Sequence, residues 1–449
     1  MRIGRKPASL LVISTFMLLA ACGGDPSTGS GSQPAASSES SAEKEGKSDG
    51  KDPVTLRIMW WGSQARHDAT NKVIDLFKQK NPHIQVSAEF LGADGYWDKL
   101  NTLVAGGNAP DIIQLGNNYP DYVSRGTLLE LDPYIGKPID LGTFDEQIAS
   151  TGKLDGKQYG INMGSNALSI VYNTELIKKA GMEPPNAGWT WEEMEAYSKQ
   201  LVGKLGKGYY AFADQSGFTH YLGHFVRQNG KALYNGSEIA FDEALGTKWF
   251  EMWNRFRQEG IIPTAAQSAA YLEMTPDNSM LVEGKLAMLV IWSNQFVAFQ
   301  GAMKDELQMV PLPSGGTENG MWIQPSQFMT INKNSKHPEE AAQLINFFVN
   351  DPEATKILGS DRGIPGSTVV RDALKAGADS ITLKTYNYLD VAVNHSRQMD
   401  REMPNIQEWD TALRNSAQKL AFGKASAAEA AAETVKAAAA AVSKSKSKS

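Results

Sequence analysis

The stretch Val54-Thr-Leu-Arg-Ile-Met-Trp-Trp-Gly-Ser-Gln-Ala-Arg-His-Asp68 decides the fold. Val54, Leu56 and Ile58 alternate as in a buried strand. The residues after them read as a polar loop holding two tryptophans, Gly62, Arg66 and His67. A helical pattern follows, with Val73, Ile74 and Phe77 on one face and Asn81-Pro82 at its end. Residues 83–90 alternate as a second strand, and residues 96–105 place Leu100, Leu103 and Val104 on a helix face. Gly106-Gly-Asn-Ala-Pro110 stops that helix, and residues 111–115 form a short strand. Strand, helix, strand, helix, strand is the doubly wound α/β pattern. In such sheets ligands bind outside the carboxyl ends of the strands, where Trp61 and its neighbours lie.

Downstream, Asp155-Gly-Lys-Gln-Tyr-Gly160 reads as a turn-rich hairpin before the apolar strand 168–172. Thr190-Trp-Glu-Glu193 fits a capping box at a helix start. Leu245, Trp249, Met252, Trp253 and Phe256 recur at helical spacing, so both tryptophans are assigned to the core. Residues 284–292 read as a buried strand delivering Asn294 and Gln295, and residues 321–332 end in another strand. Pro338 opens a helix to residue 350. Residues 425–442 are alanine-rich and helical in pattern, and the Ser/Lys tail, 443–449, is expected to be disordered.

At 449 residues the chain exceeds what one core accommodates, so two lobes are expected. Residues 1–21 read as a secretory signal, with basic Arg2, Arg5 and Lys6 before an apolar run too short to stay in a bilayer. The single cysteine stands in Leu19-Ala-Ala-Cys22-Gly23, which resembles the bacterial lipoprotein signal. That resemblance makes Cys22 the lipidated N-terminus, with acyl chains as the membrane anchor. Residues 22–52 then form a tether: from Gly23 onward they hold no Phe, Trp, Tyr, Leu, Ile or Val and cannot bury a core. Removing the three basic signal residues takes the formal charge from −6 to −9. An acidic exported chain without a basic block argues against a nucleic-acid partner.

A family likeness runs through Ala105-Gly-Gly-Asn-Ala-Pro-Asp-Ile112, Asp155-Gly-Lys-Gln-Tyr-Gly160, Tyr172-Asn-Thr-Glu-Leu-Ile-Lys-Lys-Ala-Gly181 and Trp189-Thr-Trp-Glu-Glu193. It continues through Glu283-Gly-Lys-Leu-Ala-Met288, Asn346-Phe-Phe-Val-Asn-Asp-Pro-Glu-Ala354 and Arg362-Gly-Ile-Pro365. With the opening stretch and the lipoprotein signal, these resemble the extracellular solute-binding proteins of carbohydrate ABC importers, the maltose-binding-protein-like family. The resemblance implies two α/β lobes joined by three hinge crossings, near 166–169, 323–328 and 365–371. Lobe 1 would be 53–166 plus 328–365, and lobe 2 would be 167–327 plus 366–442. It also implies an oligosaccharide in the inter-lobe cleft, a transmembrane permease as partner, a monomer on the extracytoplasmic face of the cell membrane, and no cofactor. The opening stretch with Tyr96-Trp-Asp-Lys-Leu100 further resembles a subgroup associated with plant cell-wall oligosaccharides, pectic fragments among them.

A sugar ring presents an apolar C–H face and a rim of hydroxyls, so its site needs flat aromatics beside amides, guanidinium or carboxylate groups. Trp60 is assigned to the core and Trp61 to the ligand, because neighbours on a strand face opposite ways. Gln64, Arg66 and His67 are rim candidates; for Arg66 and His67 the competing reading is capping or ion pairing of the next helix. Trp97 is a contact or half core. Asn117, Asn118 and Tyr119 follow a strand end. Trp292, Asn294, Gln295, Trp322 and Gln324 mark the second lobe's edge of the cleft. Arg362 is read as a ligand contact or an inter-lobe salt bridge, and Asp111 as structural. His220 and His224 share helical spacing without a nearby Glu or Cys, which argues against a zinc site. No phosphate-binding loop, zinc-helix signature or hydrolase elbow is found, so the chain is not read as an enzyme. Two rival classes remain open: a lipid-anchored glycoside hydrolase, which needs only two placed carboxylates, and a surface glycan adhesin.

Overall fold

The computed structural model describes residues 52–446, apart from 272, 274 and 404. The signal segment, Cys22 and the tether up to residue 51 lie outside these residues, as do residues 447–449. Among the described residues ten strands are present: β1 Val54–Trp61, β2 Ile84–Leu91, β3 Ile112–Leu115, β4 Lys153–Leu154, β5 Lys157–Gln158, β6 Gly160–Asn173, β7 Tyr210–Phe212, β8 Leu286–Trp292, β9 Leu307–Val310 and β10 Ile323–Ile331. The main sheet runs β2-β1-β3-β10-β6-β8-β7, with β9 also paired to β6.

The 14-residue strand β6 joins the lobes. Its first half pairs antiparallel with β10, from Thr330 opposite Gly160 to Ile323 opposite Ala167. From Leu168 onward its partners are β8 and then β9. In the first lobe β1 is parallel to β2 and β3, while β10 runs antiparallel to β3. In the second, β7 is parallel to β8, which is antiparallel to β6. The expected α/β architecture is present, with mixed rather than purely parallel sheets.

These registers fix where the strands point. Leu115, the end of β3, lies opposite Phe328, so β10 and β6 overrun it toward Ala167. Trp292, the end of β8, lies opposite Leu168. The parallel strands of both lobes therefore aim their carboxyl ends at one crossing point from opposite sides. A third crossing follows Ile364, which bridges to Ser165.

Strand β1 is covered on both faces. Val54, Leu56, Ile58 and Trp60 pack with the helix Gln64–Lys80, whereas Met59 and Trp61 belong to a second cluster with Tyr96 and Leu100. Trp60 is fully buried, as the alternation requires. Trp249 and Trp253 are fully buried too, on the helix Glu243–Gln258. The expected capping box is present at Thr190.

Two expectations are corrected. The segment after Gly62 is not a loop: Ser63 caps the helix Gln64–Lys80, its hydroxyl accepting from the Arg66 N–H, so Gln64, Arg66 and His67 occupy the first turn. The Ser/Lys tail is not wholly disordered, because the alanine-rich helix runs Ala427–Lys446 and absorbs residues 443–446. The lysines extend its last turn at low cost, since Lys is a good helix former and complements the C-terminal dipole.

Candidate functional site

The first-lobe wall is built at the end of β1. The ring of Trp61 is half-buried, 5.1 Å from both Tyr96 and Trp97. The Tyr96 hydroxyl donates to the Gln114 carbonyl at 2.7 Å, which fixes the aromatic group from beneath. Trp97 is likewise half-buried. Arg66 lies over Gly62, where a Cβ would meet its Cδ at 2.4 Å. Its guanidinium is already engaged: Nε with Asp361 at 2.6 Å, Nη2 with the Asp361 carbonyl at 2.9 Å, and Nη1 with Gln327 Oε1 at 3.2 Å. Gln64 is exposed and donates to Asp68.

Three candidates of this lobe turn inward. His67 is 6% exposed; its Nδ1 accepts from Trp60 Nε1 at 3.1 Å and its ring packs 4.4 Å from Phe90. Burial holds its pKa below the usual histidine value. Because the helix starts at Gln64, residue 67 falls on the face that also carries Thr70 and Ile74. Tyr119 is buried, and its hydroxyl donates to the carbonyls of Lys153 and Thr151. Arg362 is 3% exposed, its Nη2 donating to Thr70 Oγ1 at 2.7 Å and its Nε to Gln114 Oε1 at 3.3 Å. Burial, with Arg66 nearby, lowers it to about 9, which leaves it cationic at neutral pH. These partners all belong to the first lobe, so Arg362 is neither an inter-lobe salt bridge nor an exposed rim group.

The ion cluster that does join the lobes was missed. Buried Arg371 pairs with Asp145 at 2.5 Å and Asp390 at 3.1 Å, and donates to the carbonyls of Pro365 and Gly366 at the third crossing. Asp111 is structural, as expected: it accepts from the Arg57 N–H and the Ser335 hydroxyl.

The second-lobe wall gathers around Trp292 and Trp322. His220, on the helix Thr219–Gln228, meets Trp292 edge-on at 5.0 Å, and Trp292 meets Trp322 at 6.1 Å. Trp322 Nε1 donates to Gln324 Oε1 at 2.8 Å, which orients both side chains. Behind them Arg227 lies 5.5 Å from the Trp322 ring, pairs with Asp400 at 2.5 Å, and donates to the Gln398 and Gly320 carbonyls. It thereby pins the segment 397–403 beside the ring. The resulting narrow recess, about 60 Å³ and partly open to solvent, is lined by His220, Arg227, Tyr234, Trp322, Gln324 and Arg401 among others.

Asn117 faces this segment, close enough to the Glu402 carboxyl to oppose the rise in its pKa that burial causes. Asn118 turns back on its own loop and accepts from the Gly116 N–H. Asn294 is exposed, while Gln295 Oε1 accepts from the Trp292 N–H at 2.9 Å and braces that residue. His220, Arg227, Arg401 and Glu402 were not singled out for this site in the sequence. Of these only His220 carried a signal, its helical spacing to His224. His224 points elsewhere, with Nε2 at 2.7 Å from the Pro313 carbonyl. Among the described residues no group of His, Cys, Asp or Glu could hold a metal ion, and no helix is long and apolar enough to cross a membrane.

Comparison with known proteins agrees with this architecture. The profile of the family described as bacterial extracellular solute-binding protein matches residues 61–355. A solved extracellular solute-binding protein, family 1, from Alicyclobacillus acidocaldarius is 30% identical, with a TM-score of 0.81 over 88% of this chain and 100% of that one. A periplasmic oligogalacturonide-binding protein from Yersinia enterocolitica is 25% identical, with a TM-score of 0.74 over 87% and 99%. The arabinooligosaccharide-binding protein of Bacillus subtilis is 21% identical across 71% of this chain and 74% of its own length. The family match spans well over half of the chain: it belongs to the bacterial extracellular solute-binding proteins.

Proposed function

We propose that this protein is the substrate-binding subunit of an ABC importer and captures an oligosaccharide between its lobes. One observation carries the reading: the carboxyl ends of β1 and β8 converge on one crossing, each bearing a half-buried tryptophan. Two aromatic platforms facing one cleft, with amides and guanidinium groups at the rim, match the C–H faces and hydroxyls of sugar rings. The relatives named for oligogalacturonide and arabinooligosaccharide support the same ligand class. Trp61, Trp97, Arg66, Asn117, Trp292, Trp322 and Gln324 are the contacts we assign, with Gln64, Asn118, Asn294 and Gln295 as peripheral groups.

Closure would favour the bound state because sugar touches both walls only when the lobes approach. Three crossings near 166–169, 323–328 and 365–371 serve as the hinge between the lobes. The Cys22 anchor keeps the monomer at the extracytoplasmic membrane face, and the closed form delivers sugar to the permease. The reading is tested by a thermal-shift screen of the full mature chain against pectic, arabinan, xylan, glucan and chitin oligosaccharides. A bound sugar at one hundred times its Kd should add about 2.7 kcal/mol of stability. No shift with any of them would overturn the proposal. A Cys22→Ser variant should leave the membrane fraction, and its retention there would refute the anchor.

A further inference from the structure

The aromatic surface of the second lobe does not stop at Trp292. From Trp292 it passes to His220 at 5.0 Å and from His220 to Phe218 at 5.6 Å. Phe218 stands at the end of the segment that leaves β7. That segment climbs beside β8: the Gln215 amide donates to the Val290 carbonyl and accepts from the Val290 N–H, two residues short of Trp292. Strand β7 is parallel to β8, so its carboxyl end points at the cleft as well. Beyond Phe218 lies a second recess of about 320 Å³, partly open to solvent. Ala265, Ala269, Ala417 and Ala421 keep its walls low, and Phe422, 50% exposed, forms its lip.

The chemistry of this recess differs from that of the inner one. Its charged side chains are engaged: Asp214 with Arg257, Arg414 with Asp410, and Glu273 with the Ser279 hydroxyl and the Met280 N–H. The Ser268 hydroxyl is buried without a hydrogen-bond partner, a state that costs free energy until a ligand group meets it. Small apolar side chains, one aromatic lip and a waiting hydroxyl suit the uncharged face of a sugar unit, not a carboxylate.

We propose that the cleft has a second compartment, in which this outer recess receives further units of the same oligosaccharide through their apolar faces. The proposal rests on the oligosaccharide reading above and adds chain length to it: the ligand reaches past Phe218, so long chains bind better than dimers. Occupancy by the same chain follows from the unbroken aromatic path between the recesses. Neither Phe422 nor Ala421 takes part in the inner site, so substitutions there separate the two compartments.

The test titrates the full mature chain with dimer, tetramer and hexamer of oligogalacturonide, arabino-oligosaccharide and chito-oligosaccharide. For the series that binds, affinity should rise tenfold or more from dimer to hexamer. Phe422→Ala, which removes the lip, and Ala421→Trp, which fills the recess, should each cut that gain to threefold or less while dimer affinity stays unchanged. Equal affinity for dimer and hexamer, or a gain that survives both substitutions, would overturn the outer compartment alone. Failure of every series to bind would sink the oligosaccharide reading and this proposal with it.

Discussion

The two walls of the cleft are built on opposite principles. In the first lobe the candidate guanidinium is spent before any ligand arrives, since Arg66 is held by Asp361 and Gln327. In the second lobe Arg227 is equally spent, yet it is placed behind the Trp322 ring and presents that ring to the recess. The first wall is a tryptophan packed at a tilt against two other aromatics over a strand end. The second is a recess shaped by a helix, a crossing strand and the 397–403 segment. Under the proposed function, the second lobe would supply most of the contact area and the first lobe would close over it.

The largest effect expected from breaking this comparison lies within the first wall. Trp60→Ala should cost about 3–5 kcal/mol of stability, because it opens a cavity in a filled core and leaves His67 without its donor. Trp61→Ala, one residue on, should cost far less stability; calorimetric unfolding of both variants measures the split. Equal losses would show that the alternation along β1 does not separate core from cleft.

The helix behind the second wall carries a pH dependence. His224 is buried and held to about 4 by desolvation, so the folded chain keeps it neutral while the unfolded chain protonates near 6.5. Its contribution is complete above pH 6.5 and is lost as pH falls toward 4, up to about 3 kcal/mol by linkage. Denaturant titrations across that window should show the decline, and His224→Gln should flatten it. An unchanged slope in the variant would assign the acid sensitivity to other groups.

Binding effects are smaller. Trp292→Ala should weaken the oligosaccharide about tenfold, near 1.4 kcal/mol, and Trp61→Ala about fivefold, near 1 kcal/mol. Gln64→Ala should change affinity by less than about twofold, since an exposed side chain paired to Asp68 has little to lose. A larger loss at Trp61 than at Trp292 would reverse the ranking of the walls.

Local rules carried much of this reading. The alternation along β1 separated Trp60 from Trp61, helical spacing placed Trp249 and Trp253 in the core, and Thr190 announced its helix. Trp61 and Trp292 were legible as candidates because each ends a strand. His67 was misread because Ser63 starts the helix one turn earlier than the polar composition indicates, which rotates the imidazole inward. Tyr119 and Arg362 bury polar groups on partners 32 to 292 residues away in sequence, and no local pattern reports such contacts. Segment 397–403 has no periodicity to read, yet Arg227 folds it into the recess through the Gln398 carbonyl and Asp400.

The central claim is that one sugar chain touches both walls. The most direct measurement is a calorimetric titration of the wild-type chain, both single variants and Trp61→Ala/Trp292→Ala with the oligosaccharide that shifts the melting temperature most. Two distant contacts with a common ligand should add, giving about a fiftyfold loss in the double variant. Affinity within twofold of wild type would place the ligand elsewhere and contradict the account.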